Sequence, residues 1–216
     1  MPALSRKTQA SRQQRRAEIE RQLLDATERL MGEGLAYTEL SVDRLATEAG
    51  ISRATFYVYF EDKGQLLRMM AAQVFGQLAD GARTWWDVVD RHDPADARRS
   101  MAAIIAIYRR HQALLTAVIE MAAYDPEVGE FYHRLLDDIA LGTRAVIERG
   151  QADGAIRHTL PAAETASALT WTVERTVHQT VRFTHPDQDP ALAQALAEII
   201  WCTLFLEPAV STTGSG

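Results

Sequence analysis

The segment Ser52–Phe60, SRATFYVYF, gathers hydrogen-bond donors and aromatic rings within a short length of chain. Arg53, Thr55, Tyr57 and Tyr59 supply guanidinium, hydroxyl and phenol groups, while Phe56 and Phe60 stand four apart and share a face if the segment is helical. Two such phenylalanines can anchor a helix to a core with Val58 turned another way, leaving the donors for an outside partner. An inert surface helix would more often carry Glu, Lys and Ala than two tyrosines. The alternative is that both rings are half-buried with only their hydroxyls solvated. The chemistry this stretch supports is recognition.

Bond-making chemistry has weaker candidates. Glu130-Phe131-Tyr132-His133 has the Glu-x-x-His step of a di-iron helix bundle, but no second copy occurs. His133 with Asp137, and Glu174 with His178, sit four apart and could hold one face of a metal ion. Neither pair has an obvious third ligand in sequence, and surface salt links explain them better. Cys202, the single cysteine, lies between Trp201 and Thr203 and reads as a small buried core residue. Gly32-Glu33-Gly34 lacks the remaining glycine and the preceding strand of a dinucleotide loop, and no Gly-Lys-Ser/Thr phosphate loop is present. No catalytic residue, metal or cofactor is assigned, and an enzyme is not expected.

The elements that would position the Ser52–Phe60 donors are helices. Ile19, Leu23, Ala26, Thr27 and Leu30 recur at helical steps that stop at Gly32 and Gly34. Ser41 is a good N-cap for a short helix whose apolar face is Val42, Leu45 and Ala46; Gly50 stands where a tight turn needs positive φ, and Ser52 caps the next helix. Two helices of about eight residues joined by a one-glycine turn form the helix-turn-helix pattern, whose second member enters the major groove. Further stripes run from about 62 to 90, and then through Met101–Tyr108, Leu115–Ala122, Val128–Val146, Ala162–Val181 and Leu192–Thr203. Breaks fall at Asp93-Pro94, Asp125-Pro126, Asp153-Gly154, Leu160-Pro161 and Pro186 to Pro190. No segment sustains a period of two, so the fold class is all-α, with eight or nine helices.

Composition agrees with a globular protein: 216 residues, 47% hydrophobic and 24% charged. Uncharged stretches such as Ser100–Tyr108 and Thr165–Val173 reach about half the ~20 residues that a membrane-spanning helix needs. With one cysteine and no apolar leader near Met1, no membrane partner and a cytoplasmic location are expected. Net charge is −6, unevenly spread: residues 1–70 carry 11 Lys/Arg and 10 Asp/Glu, the remainder 12 and 19. Arg6, Lys7, Arg12, Arg15 and Arg16 precede the first acid, Glu18. That arm is read as a loose cationic tail able to lie along phosphates.

Leu45-Ala46, Gly50-Ile51-Ser52, Thr55-Phe56-Tyr57-Val58-Tyr59-Phe60-Glu61-Asp62-Lys63 and Leu66-Leu67 together resemble the DNA-binding domain of TetR-type transcriptional regulators. Gly64 departs from the glutamate usual in that family. More loosely, Leu160-Pro161-Ala162 followed by Glu174-Arg175-Thr176 resembles the EthR subgroup. The resemblance implies that Ser41 and Val42 lie near the DNA backbone, that Ser52 opens the reading helix, that Arg53, Ala54 and Thr55 face base edges, and that Tyr57, Tyr59 and Lys63 hold phosphates. Arg can pair bidentately with guanine, Ala and the Thr methyl suit thymine, and a lysine at a helix start reinforces a phosphate seat.

The implied domains are a disordered basic arm at 1–15, a three-helix DNA-binding domain at 16–62, a larger helical ligand-binding and dimerisation domain at 63–207, and a disordered tail at 208–216. The expected protein is a homodimeric regulator, most simply a repressor, that binds an inverted-repeat double-stranded DNA operator and is released by a small, mostly apolar effector. Stripes at Ala166, Leu169, Thr170, Val173 and Val177, and at Leu192, Ala195, Leu196, Ile199, Ile200 and Thr203, are wider than one core contact requires, and the resemblance implies that these two helices pair with their copies. Ten of the sixteen aromatic residues lie beyond position 80. Trp171, Glu174 and His178 share a helix face and are the expected effector contacts, with Tyr108, Phe131 and Leu135 as the opposing wall. The alternative is that these aromatics are packing. A helical adaptor that binds only protein would explain the last two helices but not Arg53, Tyr57, Tyr59 or the arm.

Overall fold

The computed structural model describes residues 3–86 and 93–205, with side-chain placement from residue 13 onward except at Thr84 and Trp85. Nine α-helices are present among them: α1 (Ala3–Gly32), α2 (Val42–Glu48), α3 (Arg53–Tyr59), α4 (Lys63–Trp86), α5 (Pro94–Arg110), α6 (Gln112–Ala122), α7 (Pro126–Ala152), α8 (Ala162–Phe183) and α9 (Asp189–Leu204). Short 3-10 turns at Tyr37–Glu39 and Pro186–Gln188 precede α2 and α9. α1 begins inside the stretch expected to be a disordered arm. Residues 3–31 contain neither Gly nor Pro and are rich in Ala, Gln and Arg, so nothing in them stops the helix. The expected disordered tail at 208–216 lies outside the described residues.

The chain divides into two compact units, Met1–Gly76 with His111–His133, and Gln77–Arg110 with Arg134–Gly216. The division differs from one at residue 62. Leu114, Leu115, Ala117 and Val118 bury a face of α6, which packs on α1, so α6 joins the unit that holds the two short helices. His111, 6% exposed, fixes that contact: its Nδ1 lies 2.5 Å from Oε1 of Glu28 on α1. In the same unit Leu23, Tyr37, Leu45, Phe56, Leu66 and Leu67 are almost completely buried.

In the second unit α5 lies along α9 and also meets α8. Arg109 ties the ends of these helices together. It donates to the carbonyl oxygens of Val181 and Thr184, both at 2.8 Å, and its ion pair with Asp189 closes to 2.6 Å. Gly142 is required by packing, because a Cβ there would run into the ring of Trp86. Ala166, Leu169, Thr170, Val177, Leu196 and Ile200 are buried within the single chain and not left for a partner copy. Val173, Leu192, Ala195, Ile199 and Thr203 keep some or much of their surface exposed. Cys202 is exposed, contrary to the core position expected for it, because it sits on the face of α9 that bears Glu198.

Candidate nucleic-acid interface

The two short helices are built by local capping. Ser41 adopts extended backbone and its Oγ accepts from Arg44 N at 3.2 Å, closing the open end of α2. At the other end Gly50 takes φ +71°, which a side chain would strain. Ile51 N then donates to Ala46 O at 2.9 Å and Gly50 N to Thr47 O at 3.1 Å, the paired bonds of a Schellman stop. Two residues later Ser52 repeats the cap, its Oγ accepting from Thr55 N at 3.0 Å and lying 2.8 Å from Thr55 Oγ1.

α3 is seated by Phe56 and Phe60, 0% and 2% exposed, whose rings are 5.5 Å apart. Its opposite side is open: Ser52, Arg53 and Ala54 are exposed, Tyr57 is 47% exposed and Val58 76%. Thr55 and Tyr59 are half-buried. The Arg53 guanidinium is held from two directions, by Asp43 on α2, whose Oδ2 is 2.9 Å from Nη1, and by the Tyr57 ring, whose centroid is 5.5 Å from Cζ. The Asp43 carboxylate, and after it Tyr57, raise the guanidinium pKa further. Asp43 was not among the residues expected from sequence. Its only local signal is an acid in the first turn after the Ser41 cap.

Lys63, to which the resemblance gives a phosphate-holding role, is engaged within the chain. Its Nζ donates to the carbonyl oxygens of Thr38 at 2.6 Å, Leu40 at 3.2 Å and Tyr37 at 3.3 Å, which engages all three ammonium protons. In return the buried Tyr37 hydroxyl donates to Lys63 O at 2.6 Å. Burial lowers the Lys63 pKa, and burial followed by the charge of Asp62 raises that of Tyr37. The pair fastens the 3-10 turn before α2 to the first turn of α4. Asp62 caps that helix, its Oδ1 accepting from Gln65 N at 2.7 Å. Gly64 fits beside it, because a Cβ would meet Asp62 Oδ1 at 3.1 Å and Asp125 Oδ2 at 3.5 Å.

Residues 23–70 match the family model of bacterial regulatory proteins of the tetR family, and residues 97–205 match the C-terminal domain of the transcriptional regulator EthR. The HTH-type transcriptional regulator EthR of Mycolicibacterium smegmatis is 32% identical over 183 residues, 83% of this chain and 82% of that protein. The chain belongs to the TetR family. The EthR of Mycobacterium tuberculosis is 31% identical to this TetR-family regulator over 171 residues, 76% of the chain and 77% of the relative. Solved structures agree in fold. PfmR from Thermus thermophilus superposes with a TM-score of 0.64 at 22% identity over 88% of this chain and 97% of its own. FadR from Bacillus subtilis, in complex with stearoyl-CoA, gives 0.69 at 18% identity over 84% and 97%. The two short helices of this TetR-family chain are therefore its DNA-binding helix-turn-helix.

The expected effector contacts are divided. Trp171, Glu174 and His178 do share a face of α8, with Trp171 half-buried and the other two 3% exposed, so Glu174 and His178 are not the surface salt link expected of them. Burial, and then the charges of Arg182 and Arg175, lower the His178 pKa to about 4. Tyr108 is buried on α5, and half-buried Leu135 lies in the same second unit. Phe131 belongs to the first unit. A surface groove of about 370 Å³ lies between α5 and the start of α9, among Arg98, Ala102, Ala106, Pro186 and Ala193, and none of the six expected residues lines it. Among the described residues no three His, Cys, Asp or Glu side chains converge as metal ligands, and no helix is long and apolar enough to cross a membrane.

Proposed function

We propose that this TetR-family regulator is a ligand-responsive repressor that binds an inverted-repeat operator as a homodimer and is released by a small, mostly apolar effector. The observation that carries the DNA-reading part is the outer side of α3. Ser52, Arg53, Ala54 and Tyr57 are left open there while Phe56 and Phe60 lock the opposite face. A reading helix needs this division, since its donors must reach base edges while its axis stays fixed. Arg53 and Ala54 face bases in this reading, and Tyr57 and Tyr59 meet phosphates. Ser41 and Ser52 spend their hydroxyls on the caps and so act through backbone placement.

Dimerisation is supported by Val173 on α8 and by Leu192, Ala195 and Ile199 on α9, apolar side chains at three- to seven-residue steps that keep surface in the single chain. The effector reading is supported by the half-buried Trp171 beside two buried polar groups on α8. The FadR neighbour solved with stearoyl-CoA shows that a protein of this fold can take a ligand with a long acyl chain.

Selection of bound duplexes from a random pool tests the reading directly. The expected product is a motif with two-fold symmetry whose half-sites are spaced about one DNA turn, ~34–36 Å. A pool that emerges with no enriched sequence would refute sequence-specific regulation. A thermal-shift screen of hydrophobic compounds follows, with gel shifts for the hits. Compounds that raise Tm and leave DNA affinity unchanged would refute release by an effector.

A further inference from the structure

We propose that Asp43 is the positioning residue for base reading: with the Tyr57 ring it fixes the Arg53 guanidinium in the pose that meets one base pair, and it thereby sets the sequence discrimination of the regulator. The inference rests on the reading of α3 as the DNA reader. Asp43 and Arg53 lie on different helices, ten residues apart, and their side chains are each 60% exposed, with Oδ2 and Nη1 2.9 Å apart. An ion pair this open stabilises a fold very little. It nevertheless restrains the single cation of α3, and the Tyr57 ring, 5.5 Å from Cζ, restrains it from a second side.

Arg loses much rotamer freedom when it locks onto a guanine edge, and a side chain already held in place loses less. Asp43 takes one of five N–H donors, so the guanidinium keeps donors for a base while its plane is set. The carboxylate also acts against non-specific binding. It is a fixed negative charge on the open side of the helix-turn-helix, where phosphates of any sequence would approach, so it weakens binding to every duplex alike. Specificity is the difference between the two affinities: the repulsion is common to both, while the restraint of Arg53 favours only the duplex with the matching base pair, so the acid widens the gap.

The test uses the full-length protein, duplexes selected by it from a random pool, and random-sequence duplex as the competitor. Asp43→Asn should bind random duplex a few-fold more tightly with a steeper salt slope, while discrimination at one base position falls about tenfold. Arg53→Ala should lose discrimination at that same position, and in the double variant the losses should not add. Asp43→Glu should restore part of the preference. The change lies on an exposed helix start, and circular dichroism with Tm checks that each variant is folded.

If Asp43→Asn keeps full discrimination while Arg53→Ala loses it, Asp43 is only a surface partner and the proposal fails with the reader intact. Additive losses in the double variant would also overturn it. If neither Arg53→Ala nor Tyr57→Ala changes binding to the selected duplexes, the reading of α3 fails and the proposal with it.

Discussion

Residues 41–63 and residues 166–181 are both amphipathic helical sequence with polar groups set among large side chains, yet different distances along the chain decide their structure. In the first, Ser41, Gly50 and Ser52 act on amides within a few residues, and every turn carries its own instruction. In α8, Glu174 and His178 could lie on either side of the helix as far as local sequence goes. They become buried because α8 has both α5 and α9 as neighbours in the second unit. Local capping therefore fixes where a donor is presented, and only tertiary packing fixes whether a polar group is hidden.

The largest expected effect sharpens the first half of that contrast. Phe56→Ala should cost about 3–5 kcal/mol of stability, whereas Val58→Ala, two residues further on the same helix, should change it by less than ~0.5 kcal/mol. Urea unfolding followed by circular dichroism measures both, and equal losses would mean that α3 is not seated by one face.

A somewhat smaller effect concerns α8. The folded pKa of His178, about 4, lies below the unfolded value near 6.5, so the unfolded chain takes up the proton first and stability falls as pH drops through that interval. The loss attributable to His178 should approach about 3 kcal/mol near pH 4. Comparing unfolding of the natural protein and His178→Leu between pH 4 and 7 isolates it. Parallel curves would show that the imidazole takes up its proton while the protein is folded.

The third effect separates two roles for one amine. Lys63→Met removes the ammonium that holds three carbonyl oxygens and should cost about 2 kcal/mol of stability. Its salt slope for DNA should stay that of the natural protein. Were the ammonium a phosphate contact, the slope would fall by about 1 with stability unchanged.

Helix class, the helix-turn-helix and the ends of its two short helices were legible in the sequence because caps, glycines and apolar spacing act over a few residues, whereas the start of α1 at Ala3 was not, since no cap or breaker marks it. The seat of Phe56 and Phe60 and the outward turn of Val58 were legible for the same reason. The carbonyl partners of Lys63 were not legible, because they lie 23 to 26 residues back in a turn with no sequence pattern of its own. Asp43 was overlooked because its partner stands on the next helix, and Arg109 because its acceptors lie 72 to 80 residues away.

The amine of Lys63 has a consequence for chemical labelling. The chain has only two lysines, Lys7 and Lys63. An acylating reagent needs a free, unprotonated amine, and the Lys63 nitrogen offers one only while it is detached from Thr38, Leu40 and Tyr37. Its modification rate at fixed pH is thus a clock for local opening of the contact between the Tyr37–Glu39 turn and α4, readable by peptide mass spectrometry in the natural sequence without an introduced probe.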